Sequence, residues 1–484
     1  MGDDMERIRK LFGSFSFYRS LFLLVFPIAL QQLLSMGMSF FQTFLVGAYV
    51  KSQGNDVHES MLLVQIGNRY FLALQALLLA VSITSSLFFA KYLGDEKEDA
   101  LRKVMKANLV LSFFSALFML VIGFLFRYPM LKALIQAKDS TISIHTTATF
   151  YLFLLLSLIP LSITNMFSYM LRNLKKTKYP LISTTISFLF HGLLSFILLF
   201  YTPLKIVGIS VSFFLSRILE TLILYKLYKK NIHFIQGFYK EKGYKGELFN
   251  ILKKGWPVLL SQLLQESFLL LMFFAYARIA KGQASELAAM NFVTQVADIA
   301  YAILGGMGTA TAILIAIPLG KKKIEEARNN GRYIQGYVIV FSLILSLAML
   351  IFLPIYQSLT GEDPFLKEVF ILQIISLPFL FYSQNLMFIM RSAGYTKGHF
   401  WITIFPSLVI KVPFVILFVF LYPSLYEKLP FLETIQKTLG LTPSLLMFLY
   451  LLDRFLEIAR AFIAFFLYHK VKWYERKLEK ANEG

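Results

Sequence analysis

Cysteine is absent from the 484 residues, which excludes a disulfide framework and any thiolate-held metal site. Charge is scarce too: Asp, Glu, Lys and Arg make up 16% of the chain, against about 25% in soluble proteins. With 57% hydrophobic residues and a mean hydropathy of +0.64, this is not a water-soluble globular chain. There is no HExxH, no cysteine nucleophile and no DxD-type acidic pair, so a membrane-embedded enzyme, for instance an acyltransferase using His191, lacks partner residues. The ten-residue alternating pattern of a membrane barrel strand is missing as well.

What is present are apolar runs of the length a bilayer-spanning helix needs, about 20 residues each. They predict twelve helices at about 20–46, 61–90, 107–126, 146–171, 179–201, 205–225, 255–277, 286–318, 333–356, 368–390, 399–421 and 445–468. The run from Leu21 is long and has no small-residue cleavage site, so it reads as a first span rather than a signal peptide. Pro160, Pro318, Pro378 and Pro413 fall inside predicted helices and are expected to kink them.

The formal net charge is +20, from 48 basic against 28 acidic residues. Such an excess suggests either a polyanionic partner or a topology signal. Thirty-three of the basic residues fall in one alternate set of loops, among them Lys97, Arg102, Lys176, Lys230, Lys245, Lys322 and Lys477. Nine fall in the other set, among them Lys51, Lys138, Lys205 and Lys428. That asymmetry is the positive-inside pattern; with an even number of spans it puts both termini in the cytoplasm and excludes a nucleic-acid partner. The expected location is the cytoplasmic (inner) membrane.

The two halves repeat. Pro27–Leu34 resembles Pro257–Leu264, Ala90–Gly94 resembles Ala316–Gly320, and Leu171–Lys178 resembles Met390–Lys397, at offsets of 230, 226 and 219. Both halves start on the cytoplasmic side, so the repeat is parallel and not inverted. The predicted fold is an all-α polytopic membrane protein of two parallel-repeat six-helix bundles around a central cleft. Its parts are a cytoplasmic segment 1–19, an N-lobe 20–228, a basic linker 229–254, a C-lobe 255–470 and a cytoplasmic tail 471–484. Repeated bundles that rock against each other expose a cleft to alternate sides of the membrane, which is the architecture of a secondary transporter.

Several segments resemble the MATE (multidrug and toxic compound extrusion) transporters of the MOP flippase superfamily. They are Pro27 with Gln31-Gln32 and Val46-Gly47, Leu93-Gly94 before a charged loop, and Arg172 with Thr177-Lys178-Tyr179-Pro180. In the second half they are Gly255-Trp256-Pro257 with Glu266, Glu286–Met290, and Gly320-Lys321 with Glu326-Ala327-Arg328. The resemblance implies two six-helix lobes, a monomer, no cofactor, and export of organic, cationic or amphiphilic compounds in exchange for Na+ or H+. It also marks three departures. Gln42 stands where members typically carry an Asp. His191 stands where many have an Asn. Gln265 takes the place of a Glu, with Glu266 one position later.

Ionisable groups inside a span should face a cavity or a partner. Glu266 is a candidate titrating carboxylate, or else a structural hydrogen-bonding group. Asp298 is a candidate cavity carboxylate, or else the partner of a buried Arg such as Arg69 or Arg278. A coupling Na+ would sit near Glu266 or Asp298. Arg69 and Lys411 favour an anionic cargo if they face the cleft, and carry no such message if they pair with Asp298 or Asp453. His191 is either a hydrogen-bonded core residue or a proton relay, and Gln42 and Gln265 are candidate substrate contacts. Arg217 with Glu220 reads as an intrahelical ion pair, and Asp453, Arg454, Glu457 and Arg460 as a charged ladder on the last helix. Lipid contact is expected throughout. The alternative function, a flippase for a lipid-linked saccharide or other anionic amphiphile, rests on the missing helix 1 carboxylate and the intramembrane basic residues.

Overall fold

Hydrocarbon offers backbone groups no water, so a chain in it must satisfy every N–H and C=O internally. The computed structural model meets that condition with helices. It describes residues 12–53, 57–134, 144–233, 235–279, 284–351, 353–354, 364–471 and 473–474. In the first half lie α1 (Phe15–Ser52), α2 (Val57–Gly94), α3 (Glu98–Leu134), α4 (Ile144–Leu156), α5 (Leu158–Asn173), α6 (Lys178–Tyr201) and α7 (Ile206–Asn231). The second half holds α8 (Lys245–Ile279), α9 (Ala284–Gly320), α10 (Ile324–Met349) and α11 (Pro364–Ser392). It continues with α12 (Lys397–Leu421), a short α13 (Pro430–Thr438) and α14 (Leu445–Lys470).

Ten helical stretches among the described residues are long and apolar enough to cross a membrane. Lys245–Ile279 and Leu445–Lys470 have the length as well; the latter carries Asp453, Arg454, Glu457 and Arg460 mid-helix. The fourth predicted span is two helices that meet at Ser157. Pro160 explains the break: it has no N–H to offer the carbonyl of Leu156, and its ring crowds that carbonyl. Pro378, by contrast, lies within a helix that runs on. In α12 three stretches, Phe400–Ile404, Ser407–Lys411 and Ile416–Leu421, are π-helical. Pro406 and Pro413 lie beside them, and the wider turn fits a helix that has lost two donors.

The chain separates into two compact units, Leu23–Glu266 and the described residues up to Phe22 together with Ser267 onward. In the first, Phe71, Leu74, Leu78, Tyr151, Leu154 and Leu155 form one buried cluster, and Met105, Met166, Phe167, Leu171, Tyr228 and Phe238 another. The second unit buries Ile315, Leu386, Met387, Ile389, Met390 and Trp473 together. It also includes the start of α1, where Phe17 and Tyr18 place their rings 5.3 and 5.9 Å from Tyr333 and Tyr337. Lipid is as apolar as leucine, so close packing and polar bonds between helices hold such units rather than escape from water. Gly255 shows how close that packing is: a Cβ there would lie 2.1 Å from Thr84 Cγ2. Outward faces carry Phe114, Phe118 and Leu125 on α3, and Phe455, Phe462 and Phe466 on α14.

The repeat is visible in the backbone. Glu96 and Lys322 occupy equivalent places after α2 and α9, and both adopt left-handed φ, 58° and 59°. Each turn closes with the same bond, Lys97 N to Tyr92 O at 3.1 Å and Lys323 N to Pro318 O at 2.9 Å. After α5 and α11 the equivalent left-handed residues are Lys175 and Gly394. These are helix C-terminal caps in which an amide reaches back over one full turn.

Candidate functional site

A buried polar chain crosses four helices of the 23–266 unit. Arg172 at the end of α5 donates from Nη2 to Gln31 Oε1 on α1 at 2.6 Å. Gln31 Nε2 donates to Thr184 Oγ1 on α6 at 3.0 Å, and the Thr184 hydroxyl donates to Glu220 Oε1 on α7 at 2.5 Å. Arg217 Nη1, one turn earlier on α7, reaches Glu220 Oε2 at 2.6 Å. All five side chains are buried. Every donor from Arg172 onward points towards the Glu220 carboxylate, so each bond polarises the next. One carboxylate thereby answers two guanidinium groups, one directly and one through two neutral relays.

The Arg217 guanidinium also lies over the Phe213 ring, 4.7 Å from its centre, and the Phe71 and His191 rings pack edge-on against it at 5.6 and 5.7 Å. His191 is fully buried. Its Nε2 is 3.3 Å from Gln42 Nε2, and its Nδ1 is 3.0 Å from Ser212 Oγ and 3.2 Å from Ser195 Oγ. Ser212 spends its own proton on the His191 carbonyl, at 2.9 Å. Its oxygen is then left to accept from Nδ1–H, and Nε2 is left to accept from the Gln42 amide. The geometry therefore describes a neutral imidazole protonated at Nδ1.

The second unit holds a comparable cluster on α11, α12 and α14. Lys411 Nζ pairs with Asp453 Oδ1, and Arg454 Nη2 with Asp453 Oδ2. Arg454 Nη1 donates to Gln373 Oε1 at 2.7 Å, and the Tyr450 hydroxyl to the same oxygen at 3.0 Å. One turn further along α14, Arg460 pairs with Glu457 and donates to Ser407 Oγ. The two clusters share a sequence pattern: Arg217-Ile-Leu-Glu220 on the last helix of the first half resembles Arg454-Phe-Leu-Glu457 on the last helix of the second. In the first unit that Arg takes its own i+3 Glu. In the second, Arg460 occupies the Glu and Arg454 turns to Asp453 and Gln373.

The expected site residues fall into three groups. Gln42 and His191 are brought together, and Lys411 meets Asp453. Gln265 and Glu266 are neighbours on α8 and both half-buried. Arg69 on α2 and Asp298 on α9 belong to helices, but their side chains lie outside the described residues. The Arg217–Glu220 pair and the Glu457–Arg460 pair of the α14 ladder follow the i,i+3 spacing, while Arg454 pairs with the adjacent Asp453. Arg172, Gln31, Thr184, Gln373 and Tyr450 are members that spacing alone did not single out. The available signals were Arg172 recurring as Arg391 across the repeat and the matched Arg-x-x-Glu steps on the last helix of each half. No group of three or more His, Asp or Glu able to hold a metal occurs among the described residues.

The MatE family model matches residues 27–197 and 257–417. No curated protein sequence matches. A crystal structure of MATE in the bent conformation aligns over 99% of both chains, at 16% identity and a TM-score of 0.75. A MOP superfamily transporter from Pyrococcus furiosus, described by a binding pocket of reverse polarity that suggests a different function, covers 96% of this chain and 97% of its own. That match has 17% identity and a TM-score of 0.74. A eukaryotic MATE transporter covers 97% and 98%, at 13% identity and a TM-score of 0.80. At these identities the likeness is one of fold.

Proposed function

This chain belongs to the MatE family and is a multi-pass membrane transporter of the MOP superfamily, and from that premise we propose that it carries acidic amphiphiles by alternating access. The observation behind this reading is a sign. Among the described buried side chains of the helices, Arg172, Arg217, Arg391, Lys411 and Arg460 outnumber Glu220, Asp453 and Glu457. Cations buried in excess of their carboxylates attract an anion and repel an organic cation. The reverse pocket polarity given for the Pyrococcus furiosus relative supports treating charge as the feature that separates cargo classes on this fold. The protein works as a monomer in the cytoplasmic membrane with both termini inside, in contact with lipid and with no cofactor. An ion gradient, Na+ or H+, drives it.

A second reading, export of organic cations, is supported by the half-buried Glu266 and Gln265 on α8. In that reading Glu266 exchanges a coupling ion for a cationic substrate, since a bound cation lowers a carboxylate's proton affinity. Reconstituted vesicles separate the two. The acidic-cargo reading expects fluorescent phosphatidylglycerol to change leaflet in proteoliposomes, tested under Na+ and H+ gradients in turn, and no gradient-driven movement of ethidium. Ethidium efflux that collapses in Glu266→Gln, with the acidic lipid immobile, would establish the second reading instead.

A further inference from the structure

We infer that Lys411, Arg454 and Gln373 form a binding site for the acidic oxyanion of the cargo, a carboxylate or a phosphodiester; this deepens the acidic-cargo reading and rests on it. The three residues come from α12, α14 and α11; Lys411 and Arg454 meet at Asp453, and Arg454 also bonds Gln373. Position 411 lies mid-way along Lys397–Leu421. Asp453 lies eight residues after the start of α14, about 12 Å along the axis at 1.5 Å per residue. The site is therefore within the hydrocarbon depth of the helices, where a net charge is costly.

The site has one more cation than it has carboxylates. Lys411 and Arg454 share Asp453, while the neighbouring Arg460 and Glu457 cancel each other. Donors exceed acceptors in the same way. Gln373 is 3% exposed, and its Oε1 accepts from both Tyr450 and Arg454, which fixes the amide orientation. Its Nε2 then points two N–H groups at no partner, and Arg454 Nε is likewise unpartnered. A buried amide nitrogen without an acceptor carries the full cost of losing its water. Ammonium, guanidinium and amide N–H groups left over together require oxygen lone pairs and negative charge, which a carboxylate or phosphodiester brings in one group.

Asp453 already shows that the geometry suits an oxyanion, since its two oxygens bridge the two cations. The side chains of Lys411, Asp453 and Arg454 keep 8, 12 and 12% of their surface exposed, while Gln373 Nε2 and Arg454 Nε are buried, so an oxyanion reaches them by parting these side chains. The described cluster of the 23–266 unit differs in its ion pairing: Arg217 has Glu220 to itself, whereas Arg454 shares Asp453 with Lys411; Arg217 Nε and Arg454 Nε are both without a partner. A purely structural triad would need no surplus donor. Here an unpartnered amide nitrogen, Gln373 Nε2, belongs to the side chain that Arg454 bonds, beside a carboxylate shared by two cations.

Binding of dioleoylphosphatidylglycerol in nanodiscs and of inorganic phosphate in solution, measured on the full-length protein, tests the assignment. Zwitterionic phosphatidylcholine serves as the control. Lys411→Gln and Arg454→Gln should each weaken acidic-probe binding by about tenfold, whereas Lys411→Arg, which keeps the charge, should hold it within about threefold. Asp453→Asn should tighten binding, because the competing internal carboxylate is gone. Loss with the lipid probe alone identifies a headgroup as the source of the oxyanion; loss with both identifies any phosphate. Equal binding by wild type and both Gln variants, or weaker binding by Asp453→Asn, overturns the site. The cargo reading fails separately: wild-type protein that binds the acidic lipid through Lys411 but never moves it keeps the site and loses the function.

Discussion

Glu220 carries more than its i+3 spacing to Arg217 suggests, because its second oxygen also ends the hydrogen-bond chain from Arg172. Removing its charge leaves one guanidinium buried without its counter-ion and a second without the far end of its relay. Breaking a buried pair from one side typically costs about 3–5 kcal/mol, so Glu220→Gln should lower the thermal unfolding midpoint sharply, as measured by fluorescence in detergent. An unchanged midpoint would mean that the chain does not bear on stability. Gln42→Leu poses a smaller question. It removes the donor to His191 Nε2 and should cost about 1–3 kcal/mol, the usual penalty for a buried acceptor left bare. At this scale the sequence was informative about pairs and silent about chains. Arg217 with Glu220 is written in the spacing of one helix. Gln31, Thr184 and Arg172 sit on three other helices, and no periodicity relates them.

The helices explain why the turns repeat. Glu96, Lys175 and Lys322 hold left-handed φ near 58° with a Cβ in place, whereas the equivalent of Lys175 in the second half is Gly394. A side chain in that region costs about 1–2 kcal/mol, so Lys175→Gly should raise stability by about 1 kcal/mol in a denaturant series, with transport unaffected. A fall would show that the Lys175 side chain holds the turn by contacts that outweigh the strain; the neighbouring bond from Lys176 Nζ to Asn231 O, 3.0 Å, stays in place in this variant. Outside the spans, the Tyr426 hydroxyl donates to Gln436 on α13, and burial, then Glu433, pushes its pKa up to about 12. A raised phenol pKa gives stability that is complete below the ordinary value near 10 and lost as pH climbs towards 12. Tyr426→Phe should therefore flatten the fall in melting temperature between pH 10 and 12. Element positions were legible because apolar runs and bilayer thickness agree. The break at Ser157 and the π turns of α12 were less so, since a proline announces a missing donor but not how its neighbours re-bond.

For the whole molecule, the lack of cysteine makes topology directly testable. Cysteines placed singly at Lys242 and Lys428 should react with a membrane-impermeant maleimide from opposite sides: the first only in inside-out vesicles, the second only in intact cells. Labelling of both from one side would refute the two-sided arrangement that the loop charges predict.

Composition and hydrophobic run length by themselves determined that this chain is helical and membrane-embedded, and the internal repeat that it is built twice. Each of these depends on properties that add along the chain: the length of an apolar run, the charge of a loop, the order of matched segments. Which intramembrane charges answer one another was decided only by the tertiary structure. Lys411 and Asp453 are distant in sequence and on different helices, yet they form one ion pair. Arg454 and Arg217 open the same Arg-x-Leu-Glu pattern and make different partnerships. A charge in hydrocarbon is settled by whatever group lies within a few ångströms, and packing, unlike periodicity, is not a local property of the sequence.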